Sequence, residues 1–358
     1  MIPALDAAKL FALDSGIVSC ESYGFGHINR TFLIVCESGR RYVLQGINRQ
    51  IFNDVAGLMS NVIAVTNHIA AKCSDPRQCL HLIDTLDGNK YFIDPEGDCW
   101  RVYDFVEDSL CLQAPESPED FYESAAAFGT FQQQLSDFPA ETLHITIPNF
   151  HNTPDRYLKF RQAIQEDRAG RAASVQAEIE QYLVYESEAG VLQSKLESGV
   201  LPLRVTHNDT KLNNVMLDAK TRKQLCVIDL DTVMPGLTAF DFGDSIRFGA
   251  ATAAEDERDL SRVSMDLELY TIFTRGFLRS CPGMTAEEKR SLPWGAKLMT
   301  LECGVRFLTD YLNGDIYFSI HRPDHNLDRC RTQITMVRDM DRKWAEMNKI
   351  VEKESETQ

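Results

Sequence analysis

Leu203-Arg-Val-Thr-His-Asn-Asp-Thr-Lys-Leu-Asn-Asn-Val-Met-Leu-Asp218, followed by Leu225-Cys-Val-Ile-Asp-Leu-Asp231 and Ala239-Phe-Asp-Phe-Gly-Asp244, decides how the rest of the chain is read. Two short apolar runs each deliver carboxylates at their ends. His207, Asp209 and Asn214 form H-x-D-x-x-x-x-N; Asp229 follows, with Asp231 two residues on. Phosphoryl transfer asks for such a set. One carboxylate orients an attacking hydroxyl and takes its proton, while an amide oxygen and a second carboxylate hold Mg²⁺ against nucleotide phosphates. A lone H-x-D recurs by chance, whereas three elements in order at loop-and-hairpin spacing are specific. The bland alternative is an acidic surface loop with a capped turn.

A kinase catalytic loop carries an Asp and an Asn five positions apart, with a metal-binding Asp on the next hairpin. Asp209 is therefore expected to position and deprotonate the acceptor hydroxyl, and Asn214 and Asp229 to ligate Mg²⁺. Lys211 is a candidate to neutralise the transferring phosphoryl group, or else a solvated loop lysine. Asn213 competes with Asn214 for the metal; the D-x-x-x-x-N count selects Asn214 and leaves Asn213 to a turn. His207 is read as structural, satisfying backbone groups under the loop. Asp231 shares a side with Asp229 if the strand end is extended, and is expected to bind substrate or a second metal's water shell. Asp241 opens a helix over 242–248 and is expected to be a buried carboxylate hydrogen-bonded to the catalytic-loop backbone. Asp244 is read as helix N-terminal charge.

Upstream, residues 17–46 look like a β-meander, with runs at 17–23, 31–36 and 41–45. Between the first two lies Gly24-Phe-Gly-His-Ile-Asn29, where glycines let backbone N–H groups approach phosphate oxygens; a plain hairpin turn is the alternative. Gly24, Gly26, His27 and Asn29 are the nucleotide-binding candidates there. The third strand of a kinase carries a phosphate-gripping Lys, and its slot here holds Gln45. The helix expected over 55–71 offers no Glu to pair with a lysine. Either Gln45 hydrogen-bonds a phosphate or a nearby cation such as Arg49 substitutes. Strands follow over 79–107, and Trp100-Arg-Val-Tyr-Asp-Phe-Val-Glu107 ends the β-rich part, with Phe105, Val106 and Glu107 as the hinge that meets the adenine edge.

The chain of 358 residues suits two lobes: 1–107, nucleotide-binding, and 108–358, helical, with the catalytic loop. Net charge is 37 − 53 = −16, which argues against a nucleic-acid or anionic-membrane surface but not against ATP with Mg²⁺. Ten scattered cysteines without a C-x-x-C pair suggest neither a zinc site nor a disulfide framework. With no signal-like opening and no long apolar run, a cytoplasmic enzyme is expected.

Helices are expected from Pro118, after the N-cap Ser117, and over 154–166, 174–197, 255–280, 285–313 and 326–353. Glu302, Arg306 and Asp310 are spaced i, i+4, i+8. They form either a surface ion-pair ladder or part of a sugar pocket in which Arg306 and Tyr317 meet hydroxyls and a pyranose ring. His321 and His325 sit four apart, but Pro323 between them spoils a helical metal pair.

Thr206-His-Asn-Asp-Thr-Lys-Leu-Asn-Asn214, Ile228-Asp-Leu-Asp231 and Phe240-Asp241 resemble the aminoglycoside phosphotransferase and choline kinase superfamily. That resemblance implies an α+β, two-lobed, protein-kinase-like fold. Gly26-His-Ile-Asn29, Tyr42-Val-Leu-Gln45, Trp100-Arg-Val-Tyr103, Asp241-Phe-Gly-Asp-Ser-Ile-Arg-Phe-Gly249 and Gly314-Asp-Ile-Tyr-Phe318 resemble, more closely, the branch that phosphorylates N-acetylhexosamines, over nearly the whole chain. The resemblance implies that Gln at the lysine slot is not disabling, that ATP phosphorylates the anomeric hydroxyl of GlcNAc or GalNAc, and that Arg306 and Tyr317 line the sugar site. Two other readings stand beside it: a kinase of the same fold for a cationic alcohol such as choline or an aminoglycoside, and a nucleotide-binding pseudokinase motivated by Gln45.

Overall fold

Alternating apolar residues and tight turns build an antiparallel meander, β1 (Ile17–Ser22), β2 (Arg30–Cys36) and β3 (Arg41–Ile47), between helices α1 (Ala4–Ala8) and α2 (Val55–Ala70). Gly39, at φ +85°, makes the β2–β3 turn that an L side chain would strain. The structure, a computed structural model, describes residues 2–24, 29–49 and 51–356. Short strands β4 (Leu82–Ile83) and β5 (Phe92–Ile93) flank β6 (Cys99–Asp104), which pairs with β3 to complete a six-stranded sheet ordered β1-β2-β3-β6-β4 with β5 also on β6. Strand β7 (Ser109–Cys111) leads to the helical part: α3 (Pro118–Gln134), α4 (Thr153–Glu166), α5 (Gln176–Leu183) and α6 (Val191–Glu197). Then come β8 (Arg204–Thr206), β9 (Val215–Asp218), β10 (Gln224–Val227), β11 (Met234–Gly236), and helices α7 (Thr238–Gly249), α8 (Leu267–Ser280), α9 (Ala286–Asn313), α10 (His325–Arg342) and α11 (Trp344–Glu356).

The chain divides into two compact units. The first is 1–111 with 137–148 and 215–235, and the second is 112–136, 149–214 and 236–358. Segments 137–148 and 215–235 thus belong to the first unit although they lie far beyond residue 107 in the chain.

Register fixes what each face of the first unit's sheet does. Thr31, Gln45 and Arg101 lie in one row across β2, β3 and β6, and Phe32, Leu44 and Val102 in the next. Side chains alternate in direction along a strand, so these rows face opposite ways. The Leu44 and Val102 row packs against Ala7, Ala8 and Phe11 around α1, forming this unit's core with Tyr42 and Trp100. The Gln45 and Arg101 row is turned to the other face. As expected, α2 contains no Glu; it begins at Asp54, whose carboxylate accepts from Gly57 N–H. Its anchor is an amide. Buried Asn61 donates to the carbonyls of His144 (2.8 Å) and Val233 (3.0 Å) and accepts from His144 N–H (2.8 Å).

In the second unit the expected N-terminus of α3 is present: Ser117 and Asp120 form a capping box with Pro118 at the first position. A core including Tyr157, Phe160, Tyr182, Leu301, Leu308 and Ile334 runs between α4, α5, α9 and α10. Three long helices expected from the sequence are interrupted. The 174–197 stretch breaks after α5 and resumes beyond Gly190, a poor helix former, while Tyr182 and Tyr185 reach Cys330 O and Asp341. Residues 255–266 are mostly irregular, because Asp259 and Asp266 bond the amides two or three residues on and so start helix only at Leu267. The closing helix breaks at Lys343, whose ammonium caps Met265 O at 2.7 Å, and Trp344 turns edge-on to Trp294. None of the ten cysteines forms a disulfide. Among the described residues no helix is long and apolar enough to cross a membrane.

Replacing Asn61 with Leu leaves Val233 O, in a buried bond, and His144 N–H and O, in partly buried ones, without their amide partner. Each such group costs on the order of 1–3 kcal/mol, so urea unfolding is expected to show a loss of about 2–4 kcal/mol. A loss under about 0.5 kcal/mol would show that Asn61 does not anchor α2.

Candidate active site

The H-x-D segment of the second unit is held from beneath by one carboxylate. Asp241, fully buried on the first turn of α7, accepts from His207 N–H (2.9 Å), Asn208 N–H (2.8 Å) and the Gln132 amide (2.6 Å). Burial raises its pKa above the ordinary carboxylate value, and the His207 ring and these donors only partly oppose it. The expectation of a buried Asp241 bonded to the loop backbone therefore matches the geometry. α7 begins at Thr238 rather than at 242, so Asp244 lies past the first turn. It is not helix-terminal charge: it accepts from Thr210 N–H (3.1 Å) and pairs with buried Arg247 (3.0 Å). Burial alone would raise the Asp244 pKa, but Arg247 and Lys211 bring it below the usual value. Thr210 is clamped further, its hydroxyl on Asp241 O (2.6 Å) and its carbonyl receiving Ser245 Oγ (2.8 Å).

His207 is wholly buried edge-on to Phe128 and Phe131, and its Nδ1 accepts from Asp209 N–H at 3.3 Å, in keeping with a structural histidine. The clamp forces Asn208 into the left-handed region, φ 67°, which Asn tolerates best among residues with a side chain. Asp209 and its neighbours follow. Lys211 Nζ lies 2.6 Å from Asp209 Oδ1. Burial works against the lysine's charge, but Asp209 and Asp244 outweigh it and raise its pKa. Asn214 Nδ2 donates to Asp209 O (2.8 Å) and Oδ2 (3.3 Å), which turns its amide oxygen away from Asp209. Asn213 is an exposed partner of Gln113 at 3.4 Å.

A chain of contacts missed by sequence reasoning runs from this loop to Arg306. His151 sits between Asn208 O (Nε2, 3.3 Å) and Glu302 Oε1 (Nδ1, 3.1 Å), and Thr153 Oγ1 donates to Glu302 Oε2 at 2.8 Å. Glu302 is 2% exposed, so the surface-ladder reading of Glu302, Arg306 and Asp310 fails at its first member. Burial would raise the Glu302 pKa; the His151 hydrogen bond, with Arg156 and Arg306, brings it below the ordinary value. Arg306 stands one helical turn further along α9. Its guanidinium reaches Tyr317 Oη at 3.5 Å and lies 5.7 Å from that ring and 5.3 Å from Phe318. Asp310 is buried too, and holds the loop bearing Tyr317: its carboxylate accepts from the amides of Ile316, Tyr317 and Phe318 at 2.8–3.0 Å. The i, i+4, i+8 spacing drew attention to these positions. Nothing in the aperiodic run around His151 did.

The first unit carries the other candidates. Asp229 is left-handed, φ 60°, ahead of a short 3₁₀ turn at Leu230–Thr232, so Asp229 and Asp231 do not lie on one extended strand. Asp231 is 3% exposed: its Oδ1 is 2.6 Å from Arg101 Nη1 and its Oδ2 accepts from Asn29 Nδ2 at 2.5 Å. A carboxylate so enclosed is not presented to a substrate. Gln45 is engaged as well, its carbonyl taken by Arg101 Nε (3.1 Å) and Nη2 (2.8 Å) and its amide donating to Thr31 Oγ1 (3.3 Å). Arg49 donates to Gly97 O at 2.5 Å. Gly24 has φ +79°, and Gly26 and His27 lie outside the described residues. Within the 105–107 stretch, Arg41 stacks 4.0 Å over Phe105 and pairs with Glu107, while Val106 O receives Ser109 Oγ at 2.6 Å. Among the described residues no three His, Cys, Asp or Glu side chains gather as a metal cage.

The model of the phosphotransferase enzyme family matches residues 19–270. Among solved structures, an aminoglycoside phosphotransferase from Alicyclobacillus acidocaldarius is 14% identical with TM-score 0.61, covering 99% of this chain and 97% of its own. A microcompartment-associated aminopropanol kinase is 14% identical with TM-score 0.60, covering 96% and 98%. An amicoumacin kinase in complex with AMP-PNP and Ca²⁺ is 13% identical with TM-score 0.59, covering 92% of each chain. The fold is the kinase-like α+β fold of these proteins, with a β-rich N-terminal region and a mainly helical C-terminal part.

Above its ordinary value of 4.5, ionised Glu302 contributes its stabilisation in full, and because its folded pKa is lower still, that contribution is lost only as pH falls beneath 4.5. Glu302→Gln is therefore expected to cost about 2–4 kcal/mol near neutral pH, with a gap that narrows towards about pH 4. A gap that stays constant in urea unfolding across that range would contradict the buried-carboxylate assignment.

Proposed function

The chain belongs to the phosphotransferase enzyme family, and from that premise we propose that it is an N-acetylhexosamine 1-kinase, transferring phosphoryl from ATP to the anomeric hydroxyl of GlcNAc or GalNAc. The observation that carries the choice of acceptor is the pair of arginines near the catalytic loop. Arg306, with Tyr317, stands one turn from Glu302, which reaches the loop through His151. Arg156 has its pKa lowered by burial first and by Arg306 next, and its Nε is buried with no hydrogen-bond partner among the described residues. Two guanidiniums repel an ammonium group, so a choline or aminoglycoside acceptor is disfavoured. Guanidinium donors and an aromatic face instead suit an acetamido oxygen, ring hydroxyls and a pyranose.

Asp209 accepts the proton of the anomeric hydroxyl as that oxygen bonds phosphorus, and the leaving diphosphate keeps the electron pair of the broken bond. Lys211, held against Asp209, supplies positive charge beside the transferred group. Asn214 and Asp229 are the Mg²⁺ ligands in this reading. Their oxygens match what a hard cation takes, and the amicoumacin kinase of like fold is in complex with AMP-PNP and Ca²⁺. Mg²⁺, when bound, neutralises the phosphate oxygens of ATP. Residues around Gly24–Asn29 and 105–107 are the nucleotide contacts, and the cytoplasm is the compartment where ATP is at hand.

An assay with ATP and Mg²⁺ against GlcNAc, GalNAc, choline, ethanolamine and an aminoglycoside is expected to show turnover with the acetylated sugars alone; turnover confined to the amines would overturn the sugar reading. Asp209→Asn should lower kcat by about 10²–10⁴ with nucleotide affinity unchanged, and near-normal kcat would remove Asp209 from its role. Arg306→Ala should raise the sugar KM at least tenfold and leave the ATP KM within about twofold. Equal rises in both would place Arg306 elsewhere.

A further inference from the structure

The lysine that a kinase carries on its third strand is absent, and its neighbourhood is not left without charge. Arg101 projects from β6 on the same face and in the same row as Gln45. Its guanidinium is 1% exposed. Nε and Nη2 straddle Gln45 Oε1, and Nη1 lies against Asp231 Oδ1 and 3.8 Å from Met59 Sδ on α2. Burial opposes its charge, yet Asp231 more than compensates, and its pKa stands above the ordinary arginine value. The other nearby arginines are directed elsewhere. Arg30 shares its row with Gly46 and Trp100, facing the α1 side, with its guanidinium 4.7 Å over the Trp100 ring. Arg49 is held at Gly97 O.

Asp231 collects three parts of the first unit. Besides Arg101 it takes Asn29, and Asn29 Oδ1 in turn accepts Asn48 N–H at 3.0 Å, beyond the end of β3. Two residues before Asp231, Asp229 is held at φ 60°, a conformation that costs a non-glycine residue on the order of 1 kcal/mol or more and persists only when its surroundings impose it. Resting on the proposed role of Asp229 as metal ligand, we propose that Arg101 is the positioning residue of the nucleotide and metal half of this kinase. Its guanidinium, braced by Gln45, fixes Asp231 and thereby presents the Asp229 carboxylate. The cation of the usual lysine–glutamate pair is replaced by one on the neighbouring strand, and its carboxylate partner has moved from the α2 helix to the Asp229–Asp231 turn. Gln45 is then a brace for Arg101 and makes no phosphate contact.

The test uses the full chain without any sugar. ADP-induced thermal shift is measured across a Mg²⁺ titration for wild type, Arg101→Lys, Asp231→Asn and the double variant, alongside hydrogen exchange of the 229–232 amides in metal-free protein. Each single variant is expected to raise the Mg²⁺ concentration for half-maximal shift at least tenfold and to speed exchange at 229–232. The double variant should lose no more than the worse single one, since both break the same link. Single variants that fold and keep their Mg²⁺ midpoint within twofold of wild type would overturn the proposal, as would strictly additive losses. Unfolding of both single variants would make the pair a stability element, and would overturn it too. A wild type that binds ADP equally with and without Mg²⁺ would instead defeat the metal reading of Asp229, a distinguishable result.

Discussion

A carboxylate with no access to water governs the H-x-D loop of the second unit. Asp241 can be buried only because three N–H donors converge on it, and two of those donors are consecutive backbone amides of the H-x-D loop. Paired this way, the loop has one available path: His207 beneath it, Asn208 left-handed, and Asp209 projecting with Lys211 and Asn214 on either side. Thr210 and Ser245 bond the next residues to the same helix, so the loop inherits the rigidity of α7. A loop without that buried acceptor would leave two amides unsatisfied in the interior.

The chain is acidic, with a net charge of −16, and several of its buried arginines are each met by one or two carboxylates. Arg247 meets Asp244 and Glu255, Arg204 meets Glu288, and Arg101 meets Asp231. Buried pairs of this kind add little net stability over apolar residues of the same size, because desolvation offsets their attraction. What they supply is direction. Each fixes where a loop or turn must lie, and the Asp244, Glu302 and Asp231 pairs all sit beside residues with proposed roles in phosphoryl transfer. Arg156 and Arg306 share the Glu302 carboxylate between them, and the positive charge left over underlies the proposal of a neutral, oxygen-rich acceptor over an amine.

Much of the architecture was legible because its signals are local. The meander, the Ser117 capping box and the catalytic-loop spacing depend on neighbours in sequence, and so did the expectation of Asp241 under the loop. What stayed hidden depends on partners far apart. Nothing within residues 326–353 announces that Trp344 must turn to meet Trp294, nor that Tyr182 and Tyr185 face α10. The 255–266 run has helical composition, but its aspartates bond local amides and prevent helix. Arg101 carries no local signal, since only the register of β3 on β6 brings it beside Gln45. Asp231 was judged by a period of two that the left-handed Asp229 interrupts. His151, Glu302 and Asp310 act through residues they touch only in three dimensions.

The central claim is that this scaffold delivers phosphoryl to a sugar's anomeric oxygen. Phosphorus NMR of the product formed from GlcNAc or GalNAc with ATP and Mg²⁺ tests it most directly. A single phosphomonoester resonance coupled to the anomeric proton is expected. A product coupled to the C6 protons, or no phosphosugar while ATP is consumed on an amine, would contradict it.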